Sequence, residues 1–244
     1  MFSGKGRTIV VSGMANPSAI YLLEQGYNVV LCAHSQEQAD KMAAQIPEKY
    51  RERFMAFYCM IGEREDTARM IEETVKRFGS FNALALGIGS LENESFEATS
   101  AEDFIKTVES DLKNLYSALK ICIPEMLKYD APRIINFTTV DGACGHFNFG
   151  VGTAAGKGGI VGLTRAIALE YAARGLTANC IAVGAMETLR ERNADELAKL
   201  NAAIPLGRVA AAADIAPIVC FLASEESRYV TGAVINASGG AYFG

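Results

Sequence analysis

The chain has 244 residues, half of them apolar, and its 23 basic and 28 acidic side chains leave a net charge of −5. That length buries one sizeable core, so a single domain over residues 1–244 is the expectation. The charges form no basic stripe, and runs such as Ile134–Phe137 fall far short of the roughly 20 residues of a spanning helix, so neither nucleic acid nor a membrane is expected as a partner.

From the N-terminus, MFSGKGRTIVV shows no signal-peptide pattern, and Cys32, Cys59, Cys122, Cys144, Cys180 and Cys220 stand without CxxC spacing in mostly apolar runs. Both readings fit a cytoplasmic protein with free thiols. Apolar runs then recur: TIVV from Thr8, VVLCA from Val29, ALAL from Ala83, RIINF from Arg133 and NCIAV from Asn179. Helix-period stretches separate them, which is a βαβ rhythm. The runs are continuously apolar, as in a parallel sheet covered by helices on both faces. Asn16 and Pro17 read as the N-cap and first residue of a short helix. Buried stripes are expected at Ile71, Val75 and Phe78, at Leu112, Leu115, Tyr116, Leu119 and Ile123, and at Ile160, Leu163 and Ile167. Ala154, Ala155, Gly158, Gly159, Gly162 and Ala166 add a small-residue face suited to close helix–helix contact. Further on, RERNADELAKLNAA reads as a charged amphipathic helix.

Several motifs occur together and in order: RIINFTT from Arg133, KGGIVGLTRAIALEYA from Lys157, NCIAVGAMET from Asn179, IPLGR from Ile204, FLASEESRYVTG from Phe221 and SGG from Ser238. In these the chain resembles the short-chain dehydrogenase/reductase family over nearly its whole length. The resemblance implies a three-layer α/β/α, doubly wound Rossmann-type sheet of about seven strands, with NAD or NADP over the carboxyl ends of the strands. It also implies a catalytic serine, tyrosine, lysine and asparagine. Their positions here hold Thr139, Thr153, Lys157 and Asp111, so only the lysine is unchanged. An aliphatic alcohol is a far weaker acid than a phenol, and no tyrosine lies between Tyr129 and Tyr171 to replace it. The upstream tyrosine register of the enoyl-thioester reductase branch falls on Gly150.

The cofactor positions implied by the resemblance are also altered. The turn VVSGMANPSAIYLLEQG from Val10 keeps Gly13 as its only turn glycine, beside Ala15, and Pro17 offers no amide to a phosphate. His34 stands where the adenine ribose is selected, Met60 replaces an aspartate, and LGIG from Leu86 places Gly87 and Gly89 in the turn after the fourth strand. Gly184 and Thr188 are retained. The bland reading of Lys157, once its tyrosine is gone, is a solvated lysine. His146, in the loop DGACGHFNFG, is a candidate substitute acid or base, with Asp141 read as solvated and Cys144 as a packing residue. Two histidines and no cysteine cluster argue against a zinc site.

Three expectations follow. The leading one is a non-catalytic or strongly impaired subunit that does not itself hold NAD or NADP. It would assemble with an intact family partner, as a homo- or hetero-oligomer built as a dimer of dimers, in an oxidoreductase such as a hydroxyacyl-thioester (CoA ester) dehydrogenase. The alternative is a self-sufficient, atypical NAD(P)-dependent oxidoreductase, with His146 or Thr139 handling the proton. The third is a ligand-binding regulatory protein.

Overall fold

The computed structural model describes residues 3–89, 91, 94–144, 150–187 and 193–243. In chain order the elements are β1 (Thr8–Gly13), α1 (Ala19–Glu24), β2 (Asn28–Ala33), α2 (Gln36–Ala44), β3 (Phe54–Tyr58), α3 (Arg64–Phe78) and β4 (Ala83–Gly87). They continue with α4 (Ala101–Met126), β5 (Arg133–Thr139), α5 (Asp141–Cys144), α6 (Val151–Tyr171), β6 (Thr177–Val183), α7 (Ala194–Ala203), α8 (Ala212–Ala223) and β7 (Val234–Ala237). The seven strands pair in parallel in the order β3-β2-β1-β4-β5-β6-β7, the doubly wound topology expected from the βαβ rhythm.

Alternation along each strand sends neighbouring side chains to opposite layers. Ile9, Val11, Val29, Leu31, Ile135 and Phe137 face the layer holding α1 and α8, where they meet Leu22, Leu23, Val219 and Leu222. Val10, Val30, Leu84, Leu86 and Ile134 face Met70 of α3, Leu115 and Leu119 of α4, and Ile160 and Ile167 of α6. The strands are therefore apolar at every position because both faces are covered. Helix starts follow local chemistry. Ser35 caps α2 through the amide of Gln38, Ser100 caps α4 through that of Asp103, and Asn193 with Glu196 forms a capping box on α7, the charged helix expected there.

Some local expectations need correction. Asn16 is not a cap: it opens a 3-10 turn over Asn16–Ser18, and its amide side chain turns inward to donate to the Cys32 carbonyl. Helix α1 is left with six residues. In α4, Tyr116 leaves the stripe and is exposed, because it sits on the side of the helix facing away from the sheet. In α3 the fully buried positions are Thr67, Met70 and Thr74, with Ile71, Val75 and Phe78 packed at the margin. Of the small-residue face expected on α6, Gly159 meets Leu112 of α4 and Gly158 meets Gly142 of α5, whereas Ala155, Gly162 and Ala166 are exposed. The close crossing with α4 runs instead through Gly152, against Thr107, and Gly156, against Asp111.

Candidate active site

The strand order reverses between β1 and β4, where a doubly wound sheet opens its ligand crevice. Gly13 and Gly87 are in register there. Gly13 has φ +60°, and a Cβ on it would lie 2.1 Å from the Gly87 carbonyl oxygen; a Cβ on Gly87 would lie 2.4 Å from the Met14 nitrogen. Both glycines are dictated by this crossing. The turn that follows consumes its own amides: Met14 donates to Gly87, Ala15 to Ser12 and Ser18 to Ala15. With Pro17 lacking an N–H, few donors are left to face an anion at this turn. Ala15 is a core residue. His34, just past β2, is exposed, and its backbone N–H donates to Gln38. Met60, past β3, is exposed too, and its N–H donates to Asp66.

At the carboxyl ends of β4 and β5 the tetrad positions converge. Asp111 projects from α4 and Lys157 from α6, both completely buried, with Lys157 Nζ 3.2 Å from Asp111 Oδ1. The same ammonium donates to the Ile88 carbonyl at 3.2 Å. Burial pushes the Lys157 ammonium below the usual lysine range, and the Asp111 carboxylate opposes that shift. The reading of Lys157 as a solvated lysine is therefore corrected: one turn into α6, the side chain points under the β4 turn rather than outward. Gly89 covers the pair with φ +120°.

Thr153 is buried in the first turn of α6, one helical turn before Lys157. Thr139 ends β5, fully buried, and its hydroxyl has no hydrogen-bond partner among the described residues. Its neighbour Thr138 does the structural work, donating to the Lys157 carbonyl at 2.8 Å and so tying α6 to β5. Sequence reasoning passed over Thr138, although the paired threonines after an apolar strand were visible. Asp141 is buried in α5 and not solvated, and Cys144 is exposed and not packed, which reverses both expectations because the short α5 turns its first residue inward. Gly184 passes against Ser238 at the ends of β6 and β7. His146 and Thr188 lie outside the described residues. Among the described residues no cluster of histidine, cysteine or acidic side chains suits a metal, and no helix is long and apolar enough to cross a membrane.

A doubly wound parallel sheet with a buried lysine under the β4 turn is the frame of a nucleotide-dependent oxidoreductase. The chain belongs to the short-chain dehydrogenase/reductase family: residues 10–242 match the family profile described as enoyl-(acyl carrier protein) reductase. It is 32% identical over 236 residues to a 3-oxoacyl-(acyl-carrier-protein) reductase of Staphylococcus aureus, covering 94% of each chain. The same-named reductase of Thermotoga maritima is 29% identical over 241 residues, covering 96% of this chain and 95% of its own. Among solved structures, a short-chain dehydrogenase/reductase of Brucella melitensis, described as a glucose/ribitol dehydrogenase, superposes with a TM-score of 0.87 at 24% identity. The match covers 100% of this chain and 99% of that one, and it establishes the shared fold.

These similarities overturn the leading expectation of a non-catalytic or strongly impaired subunit. Identity to reductases at this level, spread over 94% of the chain, points to an active oxidoreductase and favours the self-sufficient alternative. Nor do they support a mixed oligomer. The expectation took the altered positions together as one loss, and Asp111 as a lost amide; in the structure Asp111 is a partner for Lys157.

Proposed function

We propose that the protein is a self-sufficient oxidoreductase of this family that interconverts a 3-oxoacyl and a 3-hydroxyacyl thioester, with substitute groups at the proton-handling positions. The observation that carries the reading is the similarity to 3-oxoacyl reductases over nearly the whole chain. The family's nicotinamide cofactor, when bound, supplies or accepts the hydride. The residues fit such a nucleotide unequally. At its nicotinamide end Lys157 would stand behind the β4 turn, fully buried under Gly89 and with its charge compensated by Asp111. At the pyrophosphate end Gly13 and Gly87 would line the crevice, but the amides of Met14, Ala15 and Ser18 are already engaged.

Thr139 carries the positioning of the reacting carbonyl. Its buried hydroxyl, unpartnered among the described residues, donates to the substrate oxygen and so polarises the carbonyl. A threonine is too weak an acid to surrender a proton, so His146 is assigned that proton. Calorimetric titration with NADH and NADPH, followed by turnover of an acetoacetyl thioester, tests the reading. Binding with turnover that His146→Ala abolishes is expected; a purified chain that binds neither nucleotide would refute it. Assembly is proposed through the outer faces of α4 and α6, where the exposed Tyr116 lines a groove with Ile123, Leu163 and Tyr171 and Leu169 is exposed on α6. Light scattering of the purified chain checks it: a monomer refutes self-association.

A further inference from the structure

A carboxylate and an ammonium that are both fully buried each lose their hydration, so their positions are fixed by whatever replaces the water. For Lys157 the replacements are Asp111 Oδ1 and the Ile88 carbonyl, each at 3.2 Å. For Asp111 the surroundings are more telling, because backbone closes on it from two sides. A Cβ on Gly89 would lie 1.8 Å from Oδ1 and 2.7 Å from Lys157 Nζ. On the other side, a Cβ on Gly156 would lie 2.4 Å from Oδ2. Two elements distant in sequence, the β4 turn and α6, thus both lack a side chain where the carboxylate sits. A glycine inside a helix costs about 1 kcal/mol relative to alanine, so Gly156 needs a reason, and the carboxylate is one.

We propose that Asp111 is a positioning residue: its carboxylate, seated in a slot left open by Gly89 and Gly156, is the built-in counter-ion that holds the Lys157 ammonium under the β4 turn. The lysine is then placed by the protein before any ligand arrives. A neutral amide of the same shape would fill the slot and leave the ammonium without a counter-ion. Only the use of that lysine rests on the oxidoreductase reading; the pair stands without it.

The test uses the full chain with 15N-labelled lysine, reading the side-chain ammonium by NMR and assigning Lys157 by its absence in Lys157→Met. In the wild type the Lys157 Nζ resonance is visible and slow to exchange with water; in Asp111→Asn it shifts and broadens or vanishes. A Lys157 resonance unmoved by Asp111→Asn would overturn the proposal. Should Asp111→Asn fail to fold, Asp111→Asn/Lys157→Met removes both charges and must regain most of the lost melting temperature; no recovery overturns the proposal equally. If the wild type binds no nucleotide, the oxidoreductase reading fails, and the resonance still decides the ion pair.

Discussion

Gly156→Ala separates a helix argument from a site argument, because the two predict opposite signs. In the interior of α6 an alanine should stabilise by about 1 kcal/mol relative to glycine. Here the added methyl would lie 2.4 Å from Asp111 Oδ2 and 2.9 Å from both its Cβ and Cγ, so the aspartate itself must retreat. Retreat breaks a fully buried ion pair whose atoms are 3.2 Å apart. Disrupting such a pair costs about 3–5 kcal/mol, which leaves a net loss of about 2–4 kcal/mol after the helix gain. For a chain of this size that is a fall in melting temperature of roughly 5–15 °C. Scanning calorimetry or urea unfolding measures it, with Asp111→Gly as the second background. With the Asp111 Cβ removed along with the carboxylate the methyl has space, and Gly156→Ala should become neutral or stabilising. A variant as stable as the wild type, or an equal loss in both backgrounds, would refute the slot.

Other changes report on separate parts of the fold. Thr139→Val keeps the shape and removes the hydroxyl; kcat of the thioester reaction should drop at least about tenfold with the melting temperature nearly unchanged or raised, since a buried hydroxyl without a partner is lost. Gly13→Ala combines a φ of +60° with a contact of 2.1 Å to backbone and should cost about 3 kcal/mol or more, read by urea unfolding. Gly79→Ala, at φ +72° with open space around it, should cost only about 1 kcal/mol. Asp214 accepts two hydrogen bonds from Arg208 and one from the Ala211 amide, and they hold its carboxyl down at about 2. A depressed carboxyl stabilises the fold above its unfolded value of about 3.9, and that contribution fades as pH falls toward about 2. Asp214→Asn should therefore cost a few tenths to about 1 kcal/mol at pH 7, the pair being partly exposed, and only a small part of that near pH 2, as urea unfolding at the two pH values would show.

The sheet was legible because its strands are apolar at every position and the covering helices repeat at 3.6, so β1, β2, β4, β5 and β6 could be located before any coordinates. Helix exteriors were harder to place: Tyr116 has the spacing of a core residue and points outward all the same. At the site, spacing located Asp111, Thr139, Thr153 and Lys157 but not their relations, because α4 and α6 are brought together by glycines whose partners lie over 40 residues away in the chain. The Asp111–Lys157 contact spans 46 positions and has no local signature. Asp111, taken alone, looked like a lost amide; beside Lys157 it is a charge with a counter-charge. His34 and Met60 gave no such surprise, being exposed at the ends of β2 and β3.

Retained glycines are weaker witnesses of cofactor binding than they first seem. Gly13 and Gly87 are needed for two strands to cross, Gly184 for the ends of β6 and β7 to pass, and Gly89 to clear Asp111. Each would be kept in a protein that bound nothing. Evidence of chemistry has to come from an atom with no structural task, and among the described tetrad positions Thr139 offers one. Lys157 and Asp111 bond each other, and Thr138, not Thr139, ties α6 to the sheet. A buried hydroxyl left without a partner costs about 1–3 kcal/mol, which a substrate oxygen accepting its hydrogen would recover on binding. A valine would serve the core better at position 139. Retaining threonine there sacrifices stability at one atom, and that atom lies at the carboxyl end of β5, where a ligand of a doubly wound sheet must pass.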